Sequence, residues 1–176
     1  NQGKHVVIEK PMAITSSSAQ MVIDKSNEVS KYVFCVMQNR YSPPAKWLKE
    51  MVDLRELGDI YTVQVNCFWN RDDRYYLPNG EKHTWKGTEK LDGGTLFTQF
   101  SHFIDLMYWI FGDISDIEGR FHNFSHSHSV AFEDTGSVSF TFDSGGMGNF
   151  NYSTSVWDKN LESSITVIAE KGTVKI

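Results

Sequence analysis

DGGTLFTQFSHFIDLMYWIFG, residues 92–112, holds the densest chemistry in the chain, and its reading decides the fold around it. From Leu96 to Phe111 the residues are mostly apolar or aromatic, which predicts a helix buried around most of its circumference. Thr98, Ser101, His102 and Asp105 interrupt that pattern at i, i+3, i+4 and i+7. At about 3.6 residues per turn they share one stripe. A buried polar group left unpaired costs about 1–3 kcal/mol, so the stripe must meet partners, water or a ligand. Gly93 and Gly94 clear side chains from the helix entrance, where free N–H groups and the positive end of the dipole favour an anionic or polar group. A small polar ligand fits there; a His102–Asp105 hydrogen bond within the core is the other reading of the same spacing.

The 176 residues suit one ordinary domain, or one domain with part of another. With 40% hydrophobic and 14% aromatic residues, the chain can build a sizeable core. Seventeen basic against 22 acidic residues give a net charge of −5, and there is no run of lysine or arginine, which argues against nucleic acid as a partner. An anionic small molecule stays compatible, because local arginines override net charge. Cys35 and Cys67 each lie inside an apolar run, so a reduced, cytoplasmic chain without a disulfide framework is expected. Neither a signal-peptide pattern nor an apolar run of membrane-spanning length is read in these residues. The first residue is Asn1 rather than Met, and Val174 and Ile176 stop in mid-pattern, so a fragment trimmed at both ends is expected.

Along the chain, His5 to Glu9 is a short β-rich run broken by Pro11. Thr15 and three serines then offer caps for an amphipathic helix to about Ser30, and Tyr32 to Met37 is a second apolar run. Strand, helix and strand in that order make one βαβ crossover, which needs more strands to become a domain. Pro43 and Pro44 open a new segment, with a helix predicted over Ala45 to Leu57 and ending at Gly58. Ile60 to Trp69 alternates as a strand, with Val63, Val65, Cys67 and Trp69 on one face and Thr62, Gln64 and Asn66 on the other. Asn70 to Lys90 reads as a long charged and aromatic loop. Ile117 to Phe124, Gly136 to Phe142, Met147 to Ser155 and Ser164 to Ala169 read as strands, the middle two joined by the turn Asp143–Ser144–Gly145–Gly146. The predicted class is α+β, an open-faced and mainly antiparallel sheet with helices on one face, preceded by the last βαβ unit of a Rossmann-type domain. A polar sheet face carrying Gln64, Asn66, Ser137, Ser139 and Thr141 is left for solvent or a second subunit.

Several residues suit chemistry. Glu9, Lys10 and Pro11 follow the first strand, and crevices in open α/β sheets lie outside the carboxyl ends of strands. Lys10 is an acid or base if its pKa is lowered, a hydrogen-bond donor to a sugar hydroxyl otherwise, or a solvated lysine at a turn. His102, titrating near neutrality, is the natural proton acceptor, and Thr98 reaches the same ligand through its hydroxyl. Asn70 to Tyr76, with Arg71, Arg74 and Tyr75, form either an arginine clamp for phosphate or carboxylate or an exposed ion-paired loop. Trp85 and Lys86 suit stacking on a ring and holding a charge. His126 and His128 are two apart, but no third ligand is spaced convincingly, so no metal site is predicted.

Three pieces together resemble the Gfo/Idh/MocA family of sugar and cyclitol oxidoreductases: GKHVVIEKP (Gly3 to Pro11), the GG, HxxD and apolar helix of Gly93 to Gly112, and FEDTGSVSFTFDSGGMGNF (Phe132 to Phe150). The resemblance implies a dinucleotide-binding remnant over residues 1–38 and a substrate-binding and oligomerisation domain over 39–176, incomplete at its end. It implies NAD or NADP, held mostly by residues outside this chain, with Glu9, Lys10 and Pro11 near the cofactor and a Lys10–Pro11 bond that is cis. Lys10 and His102 are then catalytic. Many members carry Asp or Asn four residues before that histidine, where Thr98 stands here. CFWNRDDRYY, HTWKGT and the central helix look like the nucleotide-sugar dehydrogenases of surface-polysaccharide synthesis, of the WlbA and WbpB type, which oxidise the 3-hydroxyl of a UDP-N-acetylglucosaminuronic acid.

On that resemblance Arg40, Arg71, Tyr75, Trp85, Lys86, Thr98 and Asp105 are expected to bind a nucleotide-sugar substrate, and the chain to form a homo-oligomer through its open sheet face. Alternatives on the same fold are a free-sugar or cyclitol dehydrogenase and a glycosidase that recycles NAD. A non-catalytic assembly subunit is a third. No G-x-G-x-x-G occurs, so this chain is expected to bind NAD weakly and not to turn over alone; submicromolar NAD affinity would overturn that.

Overall fold

A computed structural model describes residues 3–81 and 85–176. The first unit is β1 (Val6–Ile8), α1 (Ser16–Glu28) and β2 (Val33–Cys35), with the two strands paired in parallel as the crossover requires. Helix α1 starts where it does because the Thr15 hydroxyl accepts the Ser18 amide at 3.2 Å. Its end is closed by Ser30 at φ 50°, with Ser30 N donating to Asn27 O and Lys31 N to Ser26 O.

Five short helices follow: α2 (Pro43–Asp53), α3 (Asp73–Tyr76), α4 (Glu89–Asp92), α5 (Thr95–Thr98) and α6 (Ser101–Phe111). The strands β3 (Ile60–Phe68), β4 (Ile114–His122), β5 (Thr135–Phe142), β6 (Met147–Ser153), β7 (Glu162–Ala169) and β8 (Gly172–Lys175) form one sheet in the order β4-β5-β6-β3-β7-β8. Only β3 and β6 run parallel; every other neighbouring pair is antiparallel. The fold is α+β.

The alternation in β3 decides which face is covered. Val63, Val65 and Cys67 are fully buried and pack with Ala45 and Leu48 of α2 and with Leu106, Met107 and Ile110 of α6. The opposite face is a polar ladder in which Ser137 Oγ donates to Asn151 Oδ1 at 2.8 Å and Asn151 Nδ2 to Asn66 Oδ1 at 3.2 Å. The β5–β6 turn needs its glycines, since Gly145 and Gly146 sit at φ 98° and 90°.

Three elements depart from expectation. Helix α2 stops at Asp53 rather than Leu57, because Arg55, at φ 54°, takes the left-handed closing position usually given to glycine. Arg55 N then reaches Val52 O and Glu56 N reaches Met51 O. The single helix expected over Leu96 to Phe111 is two, α5 and α6. Phe100 N reaches back to Thr95 O, and Phe103 N starts the next helix on Phe100 O. Between them Phe100 is 0% exposed, its ring 4.8 Å from that of Trp69 and 5.5 Å from that of Tyr152. Burying a phenylalanine is worth about 1.5–3 kcal/mol, more than the roughly 1 kcal/mol net of one regular helical hydrogen bond.

The third departure is the long loop, which is largely structured by α3, the 3₁₀ turn Pro78–Gly80 and the buried Tyr76. His83 and Thr84 of the HTWKGT stretch lie outside the described residues. Among the described residues no helix is long and apolar enough to cross a membrane.

Candidate active site

A cleft of about 700 Å³ opens where several chain segments end together. Lys10 follows β1, Gln38 follows β2, Trp69 and Arg71 follow β3, and His102 enters from α6. The Lys10–Pro11 peptide is cis. Lys10 Nζ donates to the Thr98 carbonyl at 2.5 Å, joining residues 88 apart in sequence. Burial lowers the Lys10 pKa from its ordinary value, and the charges of Glu9 and Asp92 oppose that fall.

His102 is buried, and its Nε2 meets the Gln38 amide at 3.3 Å while Nδ1 has no hydrogen-bond partner among the described residues. Burial and the positive charge of Lys10 lower its pKa, so the imidazole is neutral at neutral pH and able to take a proton. The other wall is aromatic and cationic. The Arg71 guanidinium lies 4.8 Å from the Trp69 ring centroid and 5.3 Å from that of Tyr75, and Arg71 Nε donates to Gln99 Oε1 at 2.9 Å. Gln99 Nε2 in turn donates to the Tyr75 hydroxyl. That arrangement can hold an anion beside a flat ring.

Of the residues expected in the site, Lys10, Pro11, Arg71, Tyr75, Trp85, Thr98 and His102 line the cleft. Thr98 does so with its own hydroxyl donating to the Asp92 carbonyl. Glu9 stands behind, acting on Lys10 through charge. Lys86 sits against Tyr75, its ammonium 3.9 Å from the ring centroid. Arg40 and Asp105 are not in the cleft lining. They bind each other, with Arg40 Nε donating to Oδ2 at 2.7 Å and Nη2 to Oδ1 at 2.5 Å. The guanidinium fork engages both carboxylate oxygens, and no His102–Asp105 hydrogen bond occurs among the described residues. The glycine entrance is also different from expectation. Helix α5 is a single turn, and a side chain at Gly94 would meet the Glu133 carboxylate at 3.8 Å, so the acid beside those amides belongs to the chain itself.

His126 and His128 do not share a partner. His126 is buried with Nδ1 3.0 Å from Asp134 Oδ2, whereas His128 is exposed and 2.8 Å from Asp73. Burial alone would raise the Asp134 pKa, but amides of Ser125 and Phe124 hold it below the ordinary range. Arg74 pairs with Asp72 outside the cleft. Asp92, Gln38, Gln99 and Trp69 line the site without having been singled out in the sequence. Asp92 had the nearest thing to a signal, an acid directly before a glycine pair.

A family model described as the GFO/IDH/MocA C-terminal domain matches residues 45–175. Among solved structures, the WlbA dehydrogenase from Bordetella pertussis, in complex with NADH and UDP-GlcNAcA, is 34% identical with a TM-score of 0.91, covering 98% of this chain and 48% of that one. Among curated proteins, the NADP-dependent scyllo-inositol 2-dehydrogenase IolW of Bacillus subtilis is 31% identical over 110 residues, 62% of this chain and 29% of its own length. The 1-carboxy-3-chloro-3,4-dihydroxycyclohexa-1,5-diene dehydrogenase of Comamonas testosteroni is 26% identical over 154 residues, 87% of this chain and 37% of its own. The chain therefore matches less than half of the length of each of these proteins, from 29% to 48%.

Proposed function

The chain belongs to the GFO/IDH/MocA family, and from that premise we propose that it is the substrate-binding part of an NAD(P)-dependent sugar dehydrogenase. The observation that carries the reading is the joining of Lys10, from the end of β1, and His102, from α6, on one cleft with both pKa values lowered. Residues 1–38 are the closing part of a dinucleotide-binding domain and 39–176 the substrate domain.

The residues here fit such a cofactor. Glu9, Lys10 and Pro11 follow the carboxyl end of a parallel strand, beside an imidazole whose Nδ1 is buried without a partner among the described residues. When bound, NAD(P) supplies the acceptor for the hydride. Neutral His102 takes the proton of the substrate hydroxyl, and Lys10 as the ammonium steadies the oxygen from which it leaves. Phe103 and Trp69 help keep water from the reacting carbon.

For the substrate we propose a UDP-N-acetylglucosaminuronic acid, oxidised at its 3-hydroxyl. The likeness to WlbA supports this, as does the Arg71 site between Trp69 and Tyr75, which suits an anionic ligand with a ring. The open sheet face is proposed as the contact between copies, which light scattering on the complete protein would test.

The deciding experiment supplies the complete protein with NAD and UDP-N-acetylglucosaminuronic acid, with 2-oxoglutarate present, and follows both NADH and the keto sugar. Product is expected, and His102→Ala should lower turnover by about 10²- to 10⁴-fold with little change in substrate binding. No product with NAD bound would discard this substrate, and NADH formed from free cyclitols would move the reading toward the activity of the scyllo-inositol relative.

A further inference from the structure

We infer that Asp92 is the acceptor through which the cleft holds a hydroxyl group of its ligand, with Lys10 as the neighbouring donor; this rests on the dehydrogenase reading above. Asp92 is 2% exposed and lines the same cleft as Lys10, Thr98 and His102. Its two carboxylate oxygens differ. Oδ2 accepts the Gly87 amide at 2.7 Å, which fixes the side chain against its own loop. Oδ1 is buried and has no hydrogen-bond partner among the described residues. An acceptor desolvated in that way gains from any donor brought to it, and a charged one gains most.

The geometry of the surrounding chain places a matching donor nearby. The Asp92 carbonyl accepts the Thr98 hydroxyl, and the Thr98 carbonyl accepts the Lys10 ammonium, so one short segment positions both charges. The ammonium has three donors, and Thr98 uses one. A hydroxyl both donates and accepts, so it satisfies the lone carboxylate oxygen and a spare ammonium proton together. A phosphate or carboxylate would instead be repelled by Asp92. The cleft is thereby divided: the anionic part of a ligand belongs beside Arg71 and a hydroxyl-bearing ring beside Asp92. Asp92 lines the cleft with a carboxylate, whereas the family resemblance leads one to expect Asp or Asn four residues before His102, where Thr98 stands. It arrives six residues earlier in the chain, from the loop before the glycine pair.

The test uses the complete protein saturated with NAD and titrated with UDP-N-acetylglucosaminuronic acid by calorimetry. Asp92→Asn keeps an oxygen for the Gly87 amide and puts a donor where Oδ1 stands. Sugar binding should weaken about ten- to a hundredfold, with NAD affinity unchanged. Equal sugar affinity in the variant would overturn the inference, and so would an equal loss of NAD binding, which marks a purely structural role. If the variant does not fold, the wild type is titrated with the 3-deoxy and 4-deoxy sugars. Weaker binding of either supports a held hydroxyl, and undiminished binding of both overturns it. A wild type that binds scyllo-inositol and not the nucleotide sugar would sink the substrate reading alone. The same loss for Asp92→Asn on that cyclitol would then uphold Asp92, and no loss would overturn it.

Discussion

The β1–α1–β2 unit and the six-stranded sheet draw on similar residues to different ends. In the first, neither strand nor the helix contains a buried residue, and Val7 is 70% exposed. In the second, alternate residues of β3 are wholly enclosed between sheet and helices. Enclosure needs layers on both sides, and the two-stranded first unit lacks them in this chain. Lys10 comes from the less enclosed region. Polar contacts tie that region to the sheet side, Lys10 to the Thr98 carbonyl and Gln38 to His102, and just beyond β2 Arg40 pairs with Asp105. The first unit has only two strands in this chain, and these contacts form its seam with the packed sheet.

The hardest test of this contrast is a pair of truncations. Phe100→Ala removes a ring enclosed by Trp69, Phe150 and Tyr152, and should cost about 3–5 kcal/mol in urea unfolding of this chain. Val7→Ala, on the open face of β1, should cost less than about 0.5 kcal/mol. Comparable costs for the two would break the contrast.

The seam itself comes next. Asp105 is 11% exposed on its side chain and holds the Arg40 fork, which also lies 5.6 Å from the Trp109 ring centroid. Asp105→Asn should lower stability by about 1.5 kcal/mol, the low end for a charged hydrogen bond because Arg40 is partly exposed. If the pair fastens the two regions, amides of β2 should also exchange faster in that variant. Unchanged exchange in β2 would mean that the ion pair braces α6 alone.

How much of this could be read beforehand follows the same divide. Period-two alternation named the buried face of β3 correctly, because each residue's side is set by local geometry and a polar error there is costly. The DSGG turn and the Thr15 cap were likewise legible, since each is made by neighbours in sequence. The break at Phe100 was not. An unbroken apolar run fits one helix as well as two, and what decides is where Trp69 and Tyr152 stand. Arg55 closing α2 hid for a related reason: a left-handed arginine carries no glycine to announce it. In the site, Lys10, His102, Arg71, Tyr75 and Trp85 were visible as reactive or aromatic types, and all line the cleft. The Arg40–Asp105 pairing was invisible because partners 65 residues apart are chosen by the fold.

Proton chemistry at the seam gives a smaller and more graded effect. The lowered pKa of His102 keeps it neutral to below the ordinary value of about 6.5, so the base is present above that lowered value and lost as pH falls through it. Lys10 works in the opposite sense. Its ammonium is present at low pH and lost as pH rises through a value below the ordinary 10.4 or so. For the complete protein, kcat/KM should therefore form a bell with both limbs moved toward acid, each falling about tenfold per pH unit beyond its bend. His102→Ala should abolish the acid limb. An acid limb above about pH 6.5 would mean that the imidazole is not shielded as the two regions here enclose it.

The least effect should come from Thr15, and it separates local from global stability. Its hydroxyl caps α1 by accepting the Ser18 amide, yet no residue of α1 is buried. Thr15→Ala should cost the helix about 1 kcal/mol, seen as roughly fivefold faster exchange of the Ser18 and Ala19 amides. The urea midpoint of the sheet should stay where it is, because a helix with no enclosed side chain opens without disturbing the core. A midpoint that moved with the cap would show the two regions unfolding as one unit. The exposed residues of α1 would then be coupled to Val63 and Val65 through the seam contacts, and the Asp105→Asn variant would have to show the same coupling.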